Sequence, residues 1–148
     1  MDLEKQVDKN KIISFYIMAK INSTVKLVNA IKTAYKTKNA FGISQVTPTS
    51  LNILQCLYLE GLISNYQMHE TKVKFTVKYV NDKPLIYRID SLSTGSLRKF
   101  SSREDMKEYY KKYDYFFVAT SRGVLSSKQL LHEMPIGGQL LFGLKISS

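Results

Sequence analysis

The last third of the chain contains a short run of residues whose types and spacing could bind a polyanion. Thr120 and Ser121 carry neighbouring hydroxyls, Arg122 carries a permanent cation, and Gly123 follows directly. A hydroxyl both donates and accepts hydrogen bonds, and a guanidinium binds a phosphate through two N–H groups or stacks on an exposed base. Such side chains can reach the shallow minor groove of RNA, which displays 2′-hydroxyls and base edges. The run could therefore contact a nucleic acid.

A second run, Gly137-Gly138-Gln139, follows one predicted short helix later. Glycines let the backbone approach a ligand closely and adopt conformations that side chains forbid. Neither run is specific alone, because Gly-Gly and Thr-Ser-Arg-Gly both occur in ordinary turns. Their order and spacing, in a strand–helix–strand setting, form a pattern that is more specific than either run.

The charge of the chain favours the same kind of partner. The chain contains 22 Lys+Arg and 12 Asp+Glu, which gives a formal net charge of +10. A surplus of this size favours nucleic acid first and acidic lipid second. No acidic residue lies between Asp8 and Glu60, whereas seven lysines do. A solvated lysine face is one explanation, and a phosphate-binding surface is the better one, since a carboxylate would repel the RNA backbone.

Few residues of the sequence could act in catalysis. Ser121 as a nucleophile would need a base and an orienting acid, and neither His69 nor His132 has an obvious orienting partner. Paired cysteines and phosphate-binding or dinucleotide-binding glycine patterns are absent from the sequence. The acidic cluster Glu104, Asp105 and Glu108 is better explained as a solvated helix face than as a metal site. We therefore predict a protein that is not an enzyme, with no catalytic residue, metal, cofactor or small-molecule substrate.

The sequence also shows no segment that is typical of a targeting signal or a membrane span. No apolar run approaches the roughly 18 residues that a membrane span needs. Residues Met1–Lys5 lack the apolar core of a secretory signal, and they are acidic and without arginine, unlike a transit peptide. The sequence therefore predicts no localisation signal.

Two helices and a strand are predicted in the first 60 residues. Over residues 22–38, apolar positions recur at the helical period with lysines on the opposite side. A possible short strand, Phe41–Val46, follows. Thr47-Pro48 is a typical helix start, and this second helix should end at Glu60-Gly61. Because it is apolar on most sides, we expect it to be largely buried, with Cys56 in its interior.

After the second helix the apolar period changes to two, which predicts strands. A short strand is expected to begin at Leu62-Ile63. From Val73 to Tyr79, apolar residues alternate with lysine and threonine, so this strand has one buried face and one basic face. Asn81–Pro84 is a turn. Apolar residues then alternate again and predict the returning partner strand: Leu85, Tyr87 and Ile89.

The C-terminal part is predicted to be mainly β with short helices. In chain order we expect a short strand over 97–100, a helix capped at Ser102 and ending near Lys112, a buried strand over 115–120, a helix capped by Ser126 and ending near Glu133, and a final strand over 139–146. Most aromatic residues lie at core spacing. Phe100 and Tyr115 remain open as base-stacking residues.

These elements predict an α+β fold. Residues 1–20 form an N-terminal extension. Residues 21–92 form an N-terminal lobe with the order helix, strand, helix, strand, strand. Residues 93–148 form a β-rich lobe that carries the RNA-binding residues, and the small residues of 91–96 mark the boundary.

Residues 119–141 resemble the C-terminal signature of the bacterial-type S-eight family of small-subunit ribosomal proteins. The chain reads Ala119-Thr120-Ser121-Arg122-Gly123-Val124-Leu125-Ser126, a short helix, then Ile136-Gly137-Gly138-Gln139-Leu140-Leu141. The family pattern is Ser-Thr-Ser, a basic residue, Gly, an aliphatic pair, Ser or Thr, a short helix, Gly-Gly-Glu and an apolar strand. Weaker matches are Glu60-Gly61-Leu62-Ile63, Leu97-Arg98 and the helix that contains Ile31, Thr33 and Ala34.

Three positions depart from the family pattern. Ala119 stands where the family has its first serine, Gln139 stands where it has glutamate, and residues 93–96 replace its Lys-Pro-Gly. This divergence indicates an organellar member. The resemblance therefore implies a mitochondrial ribosome, with plastid or bacterial cytoplasm as the alternatives.

The resemblance implies a structural protein that binds and stabilises small-subunit ribosomal RNA during assembly, beside neighbouring small-subunit proteins and with no membrane partner. In the family, the two C-terminal segments grip a helix of this RNA. That role passes by resemblance to Thr120, Ser121, Arg122, Gly123, Gly137, Gly138 and Gln139, together with Arg98 of the Leu-Arg pair. The basic first helix would make looser phosphate contacts through Lys26, Lys32 and Lys36. Two alternatives stay open: a small RNA-processing or RNA-modifying enzyme, and a basic module at a membrane surface.

Overall fold

The computed structural model describes residues 22–93, 106–132 and 138–147 in full, and residues 100–101 by their backbone. Several predicted features lie outside these residues: the extension over 1–20, the helix cap at Ser102, the acidic pair Glu104-Asp105, and Gly137. Arg98 also lies outside them.

The two predicted N-terminal helices and the strand between them are confirmed. Helix α1 covers residues 22–36, strand β1 is Phe41–Gln45 and helix α2 is Pro48–Leu59. Thr47 caps α2 through a reciprocal pair of hydrogen bonds: Ser50 N donates to Thr47 Oγ1 (3.0 Å) and Thr47 N donates to Ser50 Oγ (2.9 Å). Gly61 lies beyond the C-terminal end with φ +75°, a conformation that glycine adopts without strain.

Helix α2 is less buried than its composition predicts. Ile53, Leu54 and Leu57 are fully buried, and Cys56 lies in the interior as predicted. Tyr58 and Leu59, however, are 47% and 67% exposed. The helix packs on one side only, and its last turn carries these two side chains on the open side.

The first sheet is antiparallel and has three strands in the order β1-β3-β2. Strand β2 is Ile63–His69 and β3 is Lys72–Val77. The predicted alternation of β3 is confirmed, because Val73, Phe75 and Val77 are buried whereas Lys72 and Lys74 are exposed. Helices α1 and α2 contribute to the same apolar cluster as the buried face of this sheet.

The predicted turn at 81–84 is confirmed as part of a small hairpin. Strand β4 (Tyr79–Val80) pairs with β5 (Lys83–Pro84). Asn81 and Asp82 connect them with φ of 53° and 64°. Two consecutive positive φ angles are typical of the tight turn whose twist matches paired strands, and Asn and Asp tolerate them.

The predicted partner of the next strand is wrong. Strand β6 (Ile86–Ser91) does not return beside β3; it pairs antiparallel with the final strand β10 (Gly138–Ile146). The predicted buried face is also wrong in part, because Ile86 and Ile89 are buried whereas Tyr87 is 74% exposed. This pairing crosses the predicted lobe boundary after residue 92, and the division into lobes stays a prediction.

The second sheet holds the C-terminal elements. Strands β8 (Tyr115–Thr120) and β9 (Gly123–Ser126) complete the order β6-β10-β8-β9, and β7 (Phe100–Ser101) also pairs with β10. Two short helices flank β8 and β9 in the chain: α3 (Lys107–Lys112) and α4 (Ser127–His132). The predicted buried strand, short helices and final strand are confirmed over these residues, and the fold class is α+β as predicted.

Two apolar clusters hold the fold together. The larger one combines α1, α2 and the first sheet with side chains of the second sheet, including Phe117 and Phe142, whose rings stack with centroids 4.6 Å apart. The smaller one packs α3 and α4 against the other face of the second sheet, around Phe116 and Leu140. None of the described helices has the length and apolar character needed to cross a membrane.

Candidate nucleic-acid interface

The turn between β8 and β9 presents the predicted Ser121 and Arg122 to solvent. Thr120 pairs with Gly123, so that Ser121 and Arg122 form a two-residue connection, and both are exposed. Gly123 has φ +96°, which favours glycine because an L side chain would be strained there. The hairpin therefore projects one hydroxyl and one guanidinium side by side.

The hydroxyl of Thr120 holds this turn in shape. Thr120 Oγ1 accepts a hydrogen bond from Arg122 N (3.1 Å) and donates one to Gly123 O (2.9 Å). Its donor is thus used inside the turn, and one lone pair remains for a ligand. Thr120 is a positioning residue first, whereas Ser121 carries the exposed hydroxyl.

The first residues of β10 lie directly beside the end of β8. Gln139 pairs with Ala119, one residue before Thr120. At Gly138 a Cβ atom would collide with the carbonyl oxygen of Ala119 and lie 2.8 Å from Val118 Cγ1. Only glycine fits at this crossing, where it lets β10 lie close to β8. The structure therefore brings together Thr120–Gly123 and Gly138-Gln139, which are far apart in the sequence.

Gln139 is buried, with 7% of its surface exposed. Its Nε2 atom has no hydrogen-bond partner among the described residues. A buried donor without a partner costs about 1–3 kcal/mol. Gln139 therefore belongs to the interior at the start of β10, and its amide is shielded from solvent.

A set of hydrogen bonds fixes the hairpin to the end of α2. Ser126 Oγ donates to Glu60 Oε1 (2.7 Å) and accepts from Gln129 N (3.2 Å), while Ser126 N donates to Gln129 Oε1 (2.9 Å). Cys56 Sγ donates to Val124 O (3.2 Å). Burial raises the pKa of the Cys56 thiol, and the nearby Glu60 raises it further, so the thiol stays protonated. Sequence patterns identified Ser126 only as a cap, because its bond to Glu60 spans 66 residues.

Tyr115 belongs to the core and does not offer its ring for stacking. It is 8% exposed, and Lys128 Nζ lies 4.5 Å from its ring centroid and donates to its hydroxyl at 2.8 Å. This hydrogen bond raises the pKa of Lys128, which remains a cation. The open assignment of Tyr115 to base stacking is therefore wrong, and the side chain of Phe100 lies outside the described residues.

The three lysines of α1 are exposed, but they lie beside two different surface hollows. Lys26 lies beside the end of β1, together with Gln45 and Thr47. Lys32 and Lys36 instead face β6. The predicted basic face of α1 is thus accessible, and its two ends border different elements.

The residues considered for catalysis do not come together. His69 ends β2 of the first sheet, His132 ends α4, and both are exposed. Ser121 lies in the β8–β9 turn, and its hydroxyl makes no hydrogen bond with either histidine. No group of three or more His, Cys, Asp or Glu that could hold a metal ion occurs within 22–93, 106–132 and 138–147.

Comparison with known proteins identifies the family of the chain. The family model described as "Ribosomal protein S8" matches residues 20–144. The chain is 30% identical over 129 residues to the small ribosomal subunit protein uS8 of Borrelia turicatae, covering 84% of this chain and 97% of that protein. It is 27% identical over 118 residues to the small ribosomal subunit protein uS8m of Acanthamoeba castellanii, covering 78% and 92%.

A third relative, uS8 of Rickettsia canadensis, is 28% identical over 132 residues, with 84% of this chain and 97% of the relative covered. The family match over residues 20–144 includes helices α1 to α4 and the two segments that meet at Ala119 and Gln139. The chain belongs to the ribosomal protein S8 family.

Proposed function

We propose that this protein is a structural constituent of the small ribosomal subunit, where it binds and stabilises ribosomal RNA during assembly. The observation that carries this proposal is that the Ser121-Arg122 turn lies beside Gly138-Gln139 at the start of β10. Membership of the S8 family and the names of its uS8 relatives support the same function.

The turn supplies the polar contacts. The exposed Ser121 hydroxyl can donate to and accept from the 2′-hydroxyls of an RNA minor groove. Arg122 can bind a phosphate oxygen through its guanidinium. Thr120 and Gly123 set the backbone shape of the turn, so the backbone needs little ordering on binding.

The start of β10 supplies the second segment. Gly138 lets β10 approach β8 closely, because a Cβ atom there would collide with the carbonyl oxygen of Ala119. Gln139 supports this segment from the interior, since its Nε2 atom is buried. Contact of Gly137, Gly138 and Gln139 with RNA follows from the family pattern.

The remaining contacts are weaker and electrostatic. Lys26, Lys32 and Lys36 bind phosphates along α1, and Arg98 follows from the matching Leu-Arg pair. Neighbouring small-subunit proteins complete the surroundings of the protein in the ribosome.

The enzyme alternative has no support. The family is a structural one, and the described residues bring no nucleophile, base and acid together.

We propose that this ribosome is mitochondrial. The relative from Acanthamoeba castellanii is a uS8m protein, and 92% of its length is covered. The departures from the family pattern at Ala119 and Gln139 support an organellar member. Plastid and bacterial ribosomes are the competing locations, because the bacterial relatives match over more residues, 129 and 132 against 118.

Sucrose-gradient sedimentation tests the function. Lysates of isolated mitochondria and of the remaining cell fraction are run before and after ribonuclease treatment, and the protein is detected in each. We expect it to migrate with the small subunit in the mitochondrial sample and to move to the top after digestion. A position at the top in every untreated sample would contradict the ribosomal function. Co-migration only in the other fraction would keep the function and overturn the compartment.

A further inference from the structure

Strand β6 contains a bulge at Tyr87. Along the pairing with β10, Arg88 lies opposite Lys145, whereas the next partner, Ile146, lies opposite Ile86. Tyr87 is therefore the extra residue of the ladder. A bulge re-aims a side chain and is often found next to functional sites. Here it turns the Tyr87 ring away from the core that Ile86 and Ile89 enter.

The outward ring of Tyr87 stands between two hollows. The first has a volume of about 400 Å³ and is bordered by Lys32, Lys36 and Arg88. The second has a volume of about 390 Å³ and is bordered by Lys83 and Ile146. Tyr87 lines both, and it is 74% exposed. Among the described aromatic residues it is more exposed than Phe41 (44%) and Tyr58 (47%).

The charge around Tyr87 has one dominant sign. Cations border the ring from α1, from β5 and from β6 itself: Lys32, Lys36, Lys83 and Arg88. Among the described residues that line the two hollows, Asp90 is the one carboxylate, and it ion-pairs with Arg88 at 2.8 Å. The Arg88 side chain nevertheless remains 58% exposed. The surface therefore fits an anionic partner that also has a flat apolar face.

We propose that Tyr87 is a second RNA-binding site, which stacks one unpaired base while the surrounding lysines bind the flanking phosphates. This site rests on the proposed RNA-binding function, and it is separate from the Ser121-Arg122 turn. A base is planar and each nucleotide carries one phosphate, which matches an aromatic face edged by cations. Single-stranded nucleic acid is bound in this way by other proteins, through stacking platforms in basic grooves.

A paired RNA helix does not fit this site. In a duplex the bases are stacked on one another and cannot lie on a protein ring, so the partner must be a bulge, a loop or an end. The two sites thus bind different parts of the RNA. The β8–β9 turn binds a helical groove, and the bulge in β6 binds an unpaired nucleotide outside the helix.

The natural chain contains no tryptophan, and this permits a direct test. In the full-length protein, Tyr87→Trp keeps an aromatic platform and introduces a single fluorophore at the site. The probe is a single-stranded hexaadenylate RNA, titrated at low salt. We expect saturable quenching of the tryptophan introduced at position 87. Tyr87→Ala should weaken binding of the same RNA about tenfold or more, as expected for the loss of one stacked base.

Tyr58→Trp is the matched control, because Tyr58 is also an exposed tyrosine (47%) but lies edge-on to Tyr66. We expect no quenching there. Combining Arg122→Ala with Tyr87→Trp separates the two sites, since quenching should persist when the turn is disabled. Absence of quenching at position 87 overturns the second site even if the protein sediments with the subunit. Quenching by polyglutamate peptide that the RNA cannot displace would replace RNA by an acidic protein partner and also overturn it.

Discussion

At the scale of single residues, the C-terminal site separates side chains that shape it from side chains that face the ligand. Thr120 and Gly123 shape the turn, one through two hydrogen bonds and the other through its positive φ. The side chains of Ser121 and Arg122 are exposed. Substitutions of the two groups should therefore have different consequences, for conformation in the first and for affinity in the second.

Arg122→Ala is expected to weaken binding to small-subunit ribosomal RNA about tenfold or more, because a hydrogen bond to a charged group contributes about 1.5–3 kcal/mol. The melting temperature should stay nearly unchanged, since the residue lies on the surface. Filter binding or electrophoretic mobility at physiological salt measures the affinity. Arg122→Lys, which keeps the charge but loses the two-pronged geometry, should give an intermediate affinity.

The matched control for Arg122 is Lys111→Ala, which removes one exposed cation on α3. Affinity should fall much less in this variant. An unchanged affinity for Arg122→Ala, or an equal loss for both variants, would remove Arg122 from the site.

Residue types alone were sufficient to propose the C-terminal site, but they did not predict the different roles of its residues. The order Thr-Ser-Arg-Gly and the later Gly-Gly-Gln were sufficient to propose RNA contacts. The use of the Thr120 hydroxyl inside the turn could not be read, since it depends on a hydrogen-bond angle set by the hairpin. The burial of Gln139 depends in the same way on its neighbour Ala119, which is 20 residues away.

At the scale of elements, sequence patterns predicted the structure correctly where the interactions join residues close in the chain. The capping residues of α2 and the alternation of β3 depend on neighbours within a few positions, so the sequence predicts them well. The partner of β6 was predicted wrongly because pairing with β10 joins residues more than 50 positions apart. The bulge at Tyr87 shifted the alternation as well, and a bulge leaves no mark in a period of two.

The elements that carry the site are joined by Ser126. Its hydroxyl bonds to Glu60 at the end of α2, and it also caps α4. Ser126→Ala removes both interactions and leaves the partly buried Glu60 carboxylate without that donor. We expect the free energy of unfolding to fall by about 2–3 kcal/mol, as measured by urea denaturation followed by circular dichroism.

Ser121→Ala is the matched control, because it removes an exposed serine hydroxyl five residues earlier in the same hairpin. Its free energy of unfolding should change by less than about 0.5 kcal/mol, whereas its affinity for ribosomal RNA should fall. Equal stabilities of the two variants would mean that the Ser126–Glu60 contact does not hold α2 to the hairpin.

At the scale of the whole molecule, the net charge is +10, and cations are grouped on separate surfaces. The β8–β9 turn, the α1 lysines and the surroundings of Tyr87 belong to different elements, and each faces solvent. Such a molecule can bind a folded RNA at several places at once. The effective concentration of the second contact after the first is formed then raises the overall affinity above that of either alone.

Salt dependence measures how many phosphates this arrangement engages. Each lysine that binds a phosphate releases a counterion, so the logarithm of the association constant falls linearly with the logarithm of salt concentration. In the double variant Lys26→Ala with Lys36→Ala, we expect the slope for ribosomal RNA to decrease by about 2, roughly one unit for each lost phosphate contact. The comparison variant, Lys107→Ala with Lys111→Ala on α3, has the same net charge and loses lysines that are equally exposed. Its slope should stay near that of the natural protein. Equal decreases in both variants would show that total charge, and not the position of α1, governs the attraction, and the assignment of phosphate contacts to Lys26 and Lys36 would then be wrong.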